Sequence, residues 1–168
     1  MGSTILATLS EQFSDIADAP QFTRFVVRLL VAVILGAAIG YERERHRRAA
    51  GLRTHMLIAL GVALVVIAAE QAGLGPTDVS RVLQGILAGI GFLGAGAILK
   101  QGETEQRVKG LTTAASVWAT SAIAITAALG RASTAIIATI VALLILAVLA
   151  PLERRMRTKT PDEPAQRK

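Results

Sequence analysis

The residues able to do chemistry crowd into one stretch of this 168-residue chain, "GYERERHRRAAGLRTH", residues 40–55. It holds both histidines, Glu42, Glu44 and five arginines between two apolar runs. Catalysis is the first chemistry to test. The chain has no HExxH, no GxSxG and no Walker lysine. It also has no cysteine to act as thiol nucleophile, zinc ligand or disulfide partner. His46 sits among arginines that repel a metal cation, and His55, which opens an apolar run, is expected in a snorkelling or helix-end role. Magnesium wants oxygen ligands, usually one or two carboxylates with retained waters, and a conducting path wants them at depth. Glu42 and Glu70 fall at the ends of apolar runs, and no carboxylate falls in the middle of one. The residues therefore read as those of a protein that is not an enzyme, with no cofactor and with metal ligands unassigned.

The elements that must position these groups are membrane spans. A composition of 52% hydrophobic and 4% aromatic residues, with a mean hydropathy of +0.53, is unlike a soluble globule of this length. A spanning helix needs about 20 mostly apolar residues. Leu111–Leu129 and Ala132–Ala150 meet this without a charge, and Val82–Leu99 carries only Gln84 as a strongly polar side chain. Phe25–Tyr41 and Thr54–Glu70 reach the length if flanking Arg and Glu side chains snorkel to the headgroups. The fold class is an all-α integral membrane protein, a bundle of five transmembrane helices at about 25–41, 54–70, 82–99, 111–129 and 132–150. Fourteen of the eighteen lysines and arginines then fall on one side: the loop 42–53, the loop 100–110 and the tail after Pro151. By the positive-inside rule the N-terminus is outside and the C-terminus cytoplasmic. The net charge of +6 thus reads as topology facing a lipid bilayer, with no nucleic acid as partner.

Outside the transmembrane domain, 24–150, little is expected. Residues 1–23 place Ile5, Leu9, Phe13 and Ile16 at helical spacing, consistent with an amphipathic surface helix that Pro20 would end. Residues 151–168 read as a basic, disordered cytoplasmic tail. Within the spans, Gly36 and Gly40 form a small-xxx-small pair leading into Glu42. Gly85, Gly89 and Gly96 share one stripe of span three, with Gly91 and Gly94 opposite, so span three is expected at the centre of the bundle. The literal GxGxxG at Gly89, Gly91 and Gly94 lacks the strand and turn a dinucleotide site requires. Thr113, Ser116 and Thr120 form a hydroxyl stripe on span four with Trp118 on the far side, and such hydroxyls bond to their own helix or a neighbour. Gly130 and Arg131 alone join spans four and five, which predicts an antiparallel hairpin.

Three segments, "GAAIGYERERHRRAAGLRTHMLIALG", "RVLQGILAGIGFLGAGAILK" and "VKGLTTAASVWAT", in this order and spacing, resemble the membrane domain of the MgtC/SapB family over about residues 24–150. The resemblance marks Gly40, Glu42, Arg43, Ala50, Gly51, Leu52, Arg53 and Thr54 in the first motif. It marks Arg81, Gly89, Gly91, Phe92, Leu93, Gly94, Ala95 and Gly96 in the second. In the third it marks Gly110, Leu111, Thr112, Thr113, Ala114, Ala115 and Trp118. Ala88 stands where the family commonly has serine. The resemblance implies a bacterial inner-membrane protein tied to survival under magnesium limitation and, in pathogens, to virulence. It also implies control of other membrane proteins, including the F-type ATP synthase. Longer members add a C-terminal ACT-like domain, which this chain is expected to lack.

In the proposed topology Glu42, Arg43, Arg53 and Thr54 lie at one membrane depth with Lys100, Thr112 and Thr113. They are expected to form one polar cluster at the cytoplasmic face, able to bind an anion or a partner loop, or to pair Glu42 with an arginine. The expected function is regulatory and non-enzymatic, with a magnesium or other cation transporter as the alternative. A homo-oligomer through the small-residue faces is a further expectation.

Overall fold

The computed structural model describes residues 5, 6 and 8, 19–99 and 110–157. These form five long helices and, among the described residues, no strand: α1 (Ala19–Arg45), α2 (Leu52–Gln71), α3 (Pro76–Leu99), α4 (Leu111–Ala128) and α5 (Ala132–Arg157). The first four are long and apolar enough to cross a membrane, and α5 has an apolar portion at Ala132–Val148. Two helices start with proline in the first turn, where its missing N–H would have no intrahelical partner anyway. Pro76 begins α3, and Pro20 lies at the start of α1 instead of ending an earlier helix. At the other end of the chain, helix runs through Pro151 to Arg157, so the first seven residues of the expected disordered tail are helical. Leu9, Phe13 and Ile16 of the proposed surface helix, and 158–168 of the tail, lie outside the described residues.

The helices pack with small side chains inside and large ones outside. The buried set is rich in alanine, including Ala32, Ala59, Ala63, Ala124, Ala127, Ala128 and Ala135, whereas Ile34, Leu57, Ile137, Leu144 and Val148 are exposed. In water that arrangement would be a liability; in hydrocarbon it is the expected one, because lipid tails solvate Leu and Ile, and close backbone approach supplies the packing energy.

The centre of the bundle is α4. It packs against each of the other four helices, while α3 touches only α2 and α4. The expectation that span three is central is therefore corrected, and the reason is side-chain size. One face of α4 is built from Thr113, Ser116, Val117, Thr120, Ser121, Ala124 and Ala128, small enough for neighbours to close in from several sides. Its hydroxyls donate to their own helix: Ser116 to Thr113 O (2.8 Å), Thr120 to Ser116 O (2.9 Å) and Ser121 to Val117 O (3.0 Å). Trp118 lies exposed on the far side. Helix α3 turns Leu83, Ile86, Leu87 and Ile90 to the core. Its glycine faces point away: a Cβ at Gly85, Gly89, Gly91 or Gly96 would meet nothing within 4 Å, and one at Gly94 only Ala114 Cβ at 3.6 Å. Gln84 is exposed with them, not buried between helices.

Candidate polar site at the helix ends

A close approach of α1 to α2 leads into the site. At Gly36 a Cβ would fall 2.7 Å from Ala59 Cβ and 2.9 Å from His55 O, and at Gly40 it would fall 2.8 Å from Leu52 Cα. Here α1 and α2 are held together by the absence of side chains. The inward stripe of α1 runs Ala32, Gly36, Ile39, Gly40 and then Arg43, so helical phase drives one arginine of the five into the interior.

Arg43 is 2% exposed and Glu42 12%. The Arg43 Nε donates to Glu42 Oε2, which makes a buried ion pair between chain neighbours. His46 Nδ1 lies 3.0 Å from Glu42 Oε1, but its hydrogen bond goes to the Glu42 carbonyl at 2.9 Å. Glu42 Oε1 and Arg43 Nη1 are consequently buried with no hydrogen-bond partner among the described residues. An unsatisfied buried polar atom costs on the order of 1–3 kcal/mol, more when charged.

His55 is fully buried beneath this pair. Its Nδ1 stands 2.9 Å from Gly51 O; a carbonyl only accepts, so this nitrogen carries the proton and donates. Its Nε2 faces Ser116 Oγ at 3.3 Å, linking α2 to the central helix. Ser116 has one hydroxyl proton and two acceptors within reach, Thr113 O and His55 Nε2.

The turn between α1 and α2 is fixed on the same scaffold. Glu44 Oε2 accepts from Leu52 N at 3.0 Å and supplies the start of α2 with an acceptor. It can do so because residue 51 is glycine: a Cβ there would stand 1.8 Å from that oxygen. Arg47 takes a left-handed φ of 51°, and Arg48 N donates to Arg43 O at 3.0 Å. Arg45, Arg47, Arg48 and Arg53 all remain exposed.

Of the cluster expected from the sequence, the structure brings Glu42 and Arg43 together and buries Thr113 on α4. Arg53, Thr54 and Thr112 are exposed and not part of the buried group, because the inward phase of α2 is set by His55, Ala59, Val62 and Val66. Lys100 lies outside the described residues. His55 and Ser116 were not expected as members; the spacing of His55 four residues before Ala59, on the face opposite Gly36, is the signal that finds it. At the opposite ends of the helices, Arg28 Nη1 binds Glu70 Oε2 at 2.5 Å.

Comparison with known proteins follows the same segments. The model of the MgtC family matches residues 29–155. "Protein MgtC" of Salmonella typhimurium strain LT2 is 40% identical over 119 residues, 71% of this chain and 49% of that protein. "Protein SrpB" of Synechococcus elongatus is 41% identical over 138 residues, covering 76% and 75%. "Putative magnesium transporter YhiD" of Escherichia coli strain K12 is 38% identical over 145 residues, covering 80% and 65%. The chain thus spans about half the length of the Salmonella relative. No solved structure matches. The chain belongs to the MgtC family and is a multi-pass protein of the bacterial inner membrane.

Proposed function

We propose that this MgtC-family chain is a non-enzymatic regulator in adaptation to magnesium limitation, acting on other membrane proteins through its arginine-rich turn. The link to magnesium comes from the name of the YhiD relative. The observation that carries the regulatory reading is the fate of the two carboxylates at the span ends. Glu42 is taken by the buried Arg43 and Glu70 by Arg28, so each is charge-neutralised where a magnesium ion would need it. A guanidinium beside each carboxylate also repels a divalent cation. What the buried pair does support is the turn above it, which presents Arg45, Arg47, Arg48 and Arg53 on a capped, hydrogen-bonded frame suited to an acidic partner surface. The positive-inside rule sets that turn in the cytoplasm.

A transporter is the second reading, favoured by the same YhiD name. Flux decides between them. Purified protein in sealed liposomes with a trapped magnesium indicator and an imposed gradient is expected to show no uptake above empty vesicles. Saturable uptake that Glu42→Gln or Glu70→Gln abolishes would make the chain a carrier and end the regulatory reading.

A further inference from the structure

On the face opposite the arginine-rich turn, α1 carries Arg24 and Arg28 one helical turn apart, with a cavity on either side of them. One cavity, about 290 Å³, lies against the end of α2, where Gln21, Arg24, Arg28, Glu70 and Gln71 line it together with Phe25 and Ile67. The other, about 420 Å³, runs between α1 and the α4–α5 turn, with Val27, Val31, Ala127 and Ala132 as its walls beside the same two arginines. The second falls within the usual range of small-molecule sites, roughly 300–1,000 Å³, and the first just below it.

The two arginines are not equivalent. Arg28 is committed: Nη1 binds Glu70, and its guanidinium rests on Gly130, where a Cβ would come within 2.8 Å of Nη2. Gly130, at φ +77°, therefore serves both the turn and the arginine. Arg24 makes one hydrogen bond among the described residues, from Nε to Pro20 O at 3.3 Å. Among the described residues Arg24 has no carboxylate partner, and it stands between a hollow of mixed polar and apolar lining and an apolar groove, at the helix ends where headgroups meet hydrocarbon. The ligand matching both is an anion joined to an alkyl chain. We propose that this site holds one glycerophospholipid, its phosphodiester on Arg24 and an acyl chain in the groove along Val27 and Val31. Arg28 and Glu70 form the fixed floor between the two parts, and a charge-assisted bond to phosphate supplies the anchoring.

The test is phospholipid retention by the full chain in mild detergent, read by native mass spectrometry, with phosphatidylglycerol, diacylglycerol and glycerol phosphate added as probes. Wild type is expected to keep one phosphatidylglycerol per chain through washing. Arg24→Gln, losing a charged hydrogen bond, is expected to weaken retention at least tenfold. Val31→Trp, which fills the groove, is expected to lower it comparably. Arg81→Gln removes an exposed arginine that lines neither cavity and is expected to change nothing. Circular dichroism confirms that each variant is folded. The proposal is overturned if Arg24→Gln retains lipid as wild type does, or if Arg81→Gln loses as much, since attraction to headgroups would then be diffuse. Displacement by diacylglycerol as effective as by phosphatidylglycerol removes the role of the phosphate, and displacement by glycerol phosphate alone removes that of the groove.

Discussion

Removing one partner of the Glu42–Arg43 pair should cost far more than removing both. Arg43 is 2% exposed and Glu42 12%, so solvent screens neither. In Arg43→Met the carboxylate stays behind at the interior end of α1 without the guanidinium that neutralises it, and breaking a buried pair this way costs about 3–5 kcal/mol. In Glu42→Gln the guanidinium loses its counter-charge while Nη1 already lacks a partner among the described residues, which puts the cost in the same range. The double variant leaves no buried charge at either position and no orphaned Nη1. Apolar or neutral replacement of a whole buried pair is often neutral or stabilising, so the double should lie within about 1 kcal/mol of wild type. The coupling, the two single losses less that of the double, therefore comes to about 5 kcal/mol or more, well above the few tenths expected of independent sites. Equilibrium unfolding in mixed micelles, followed by the fluorescence of Trp118, the single tryptophan, measures all four proteins. A loss below about 1 kcal/mol in Arg43→Met, or a double variant whose loss equals the two singles combined, would refute the reasoning.

Two further contrasts test the packing. Gly36→Leu forces a side chain against Ala59 and the His55 carbonyl and should cost roughly 1–3 kcal/mol or more, whereas Gly89→Ala, facing open space, should stay within about 1 kcal/mol of wild type; the same unfolding titration separates them. Gly110→Ala meets both a φ of +94° and the Ala97 carbonyl 2.6 Å from the new Cβ, so a loss of roughly 1–3 kcal/mol and a lowered thermal midpoint in detergent are expected.

The helices were legible in the sequence because hydrocarbon thickness sets a length, and five apolar runs of nearly that length stand between charges. Their arrangement was less so. In lipid there is no polar face to mark the outside, and α4, rich in Ser, Thr and Ala, is the centre because those residues are small. The glycines of α3 show the same limit. A small-residue stripe states that a neighbour can approach, and among the described residues none does at Gly85, Gly89, Gly91 and Gly96. The five arginines of the first loop look alike as sequence. Only counting back along the helix from Arg43 through Gly40, Gly36 and Ala32 separates the buried one from the four exposed.

That separation bears on why charge is kept inside at all. The interior of this bundle is otherwise inexpensive: alanines, glycines at the α1–α2 contact, and hydroxyls whose bonds are made within their own helix. Against that background Glu42, Arg43 and His55 are the costly group, and a buried ion pair is weak evidence for stability. Their value lies in register. The pair sits in the last turn of α1, His55 ties α2 to Ser116 on α4, and Glu44 holds the first turn of α2, so the ends of three helices meet at a fixed depth. An apolar plug would fill the same volume and let those ends slide. Directional bonds hold them, and with them the positions of Arg45, Arg47, Arg48 and Arg53. A regulator that reads a partner by charge needs that spacing held; a passive scaffold does not.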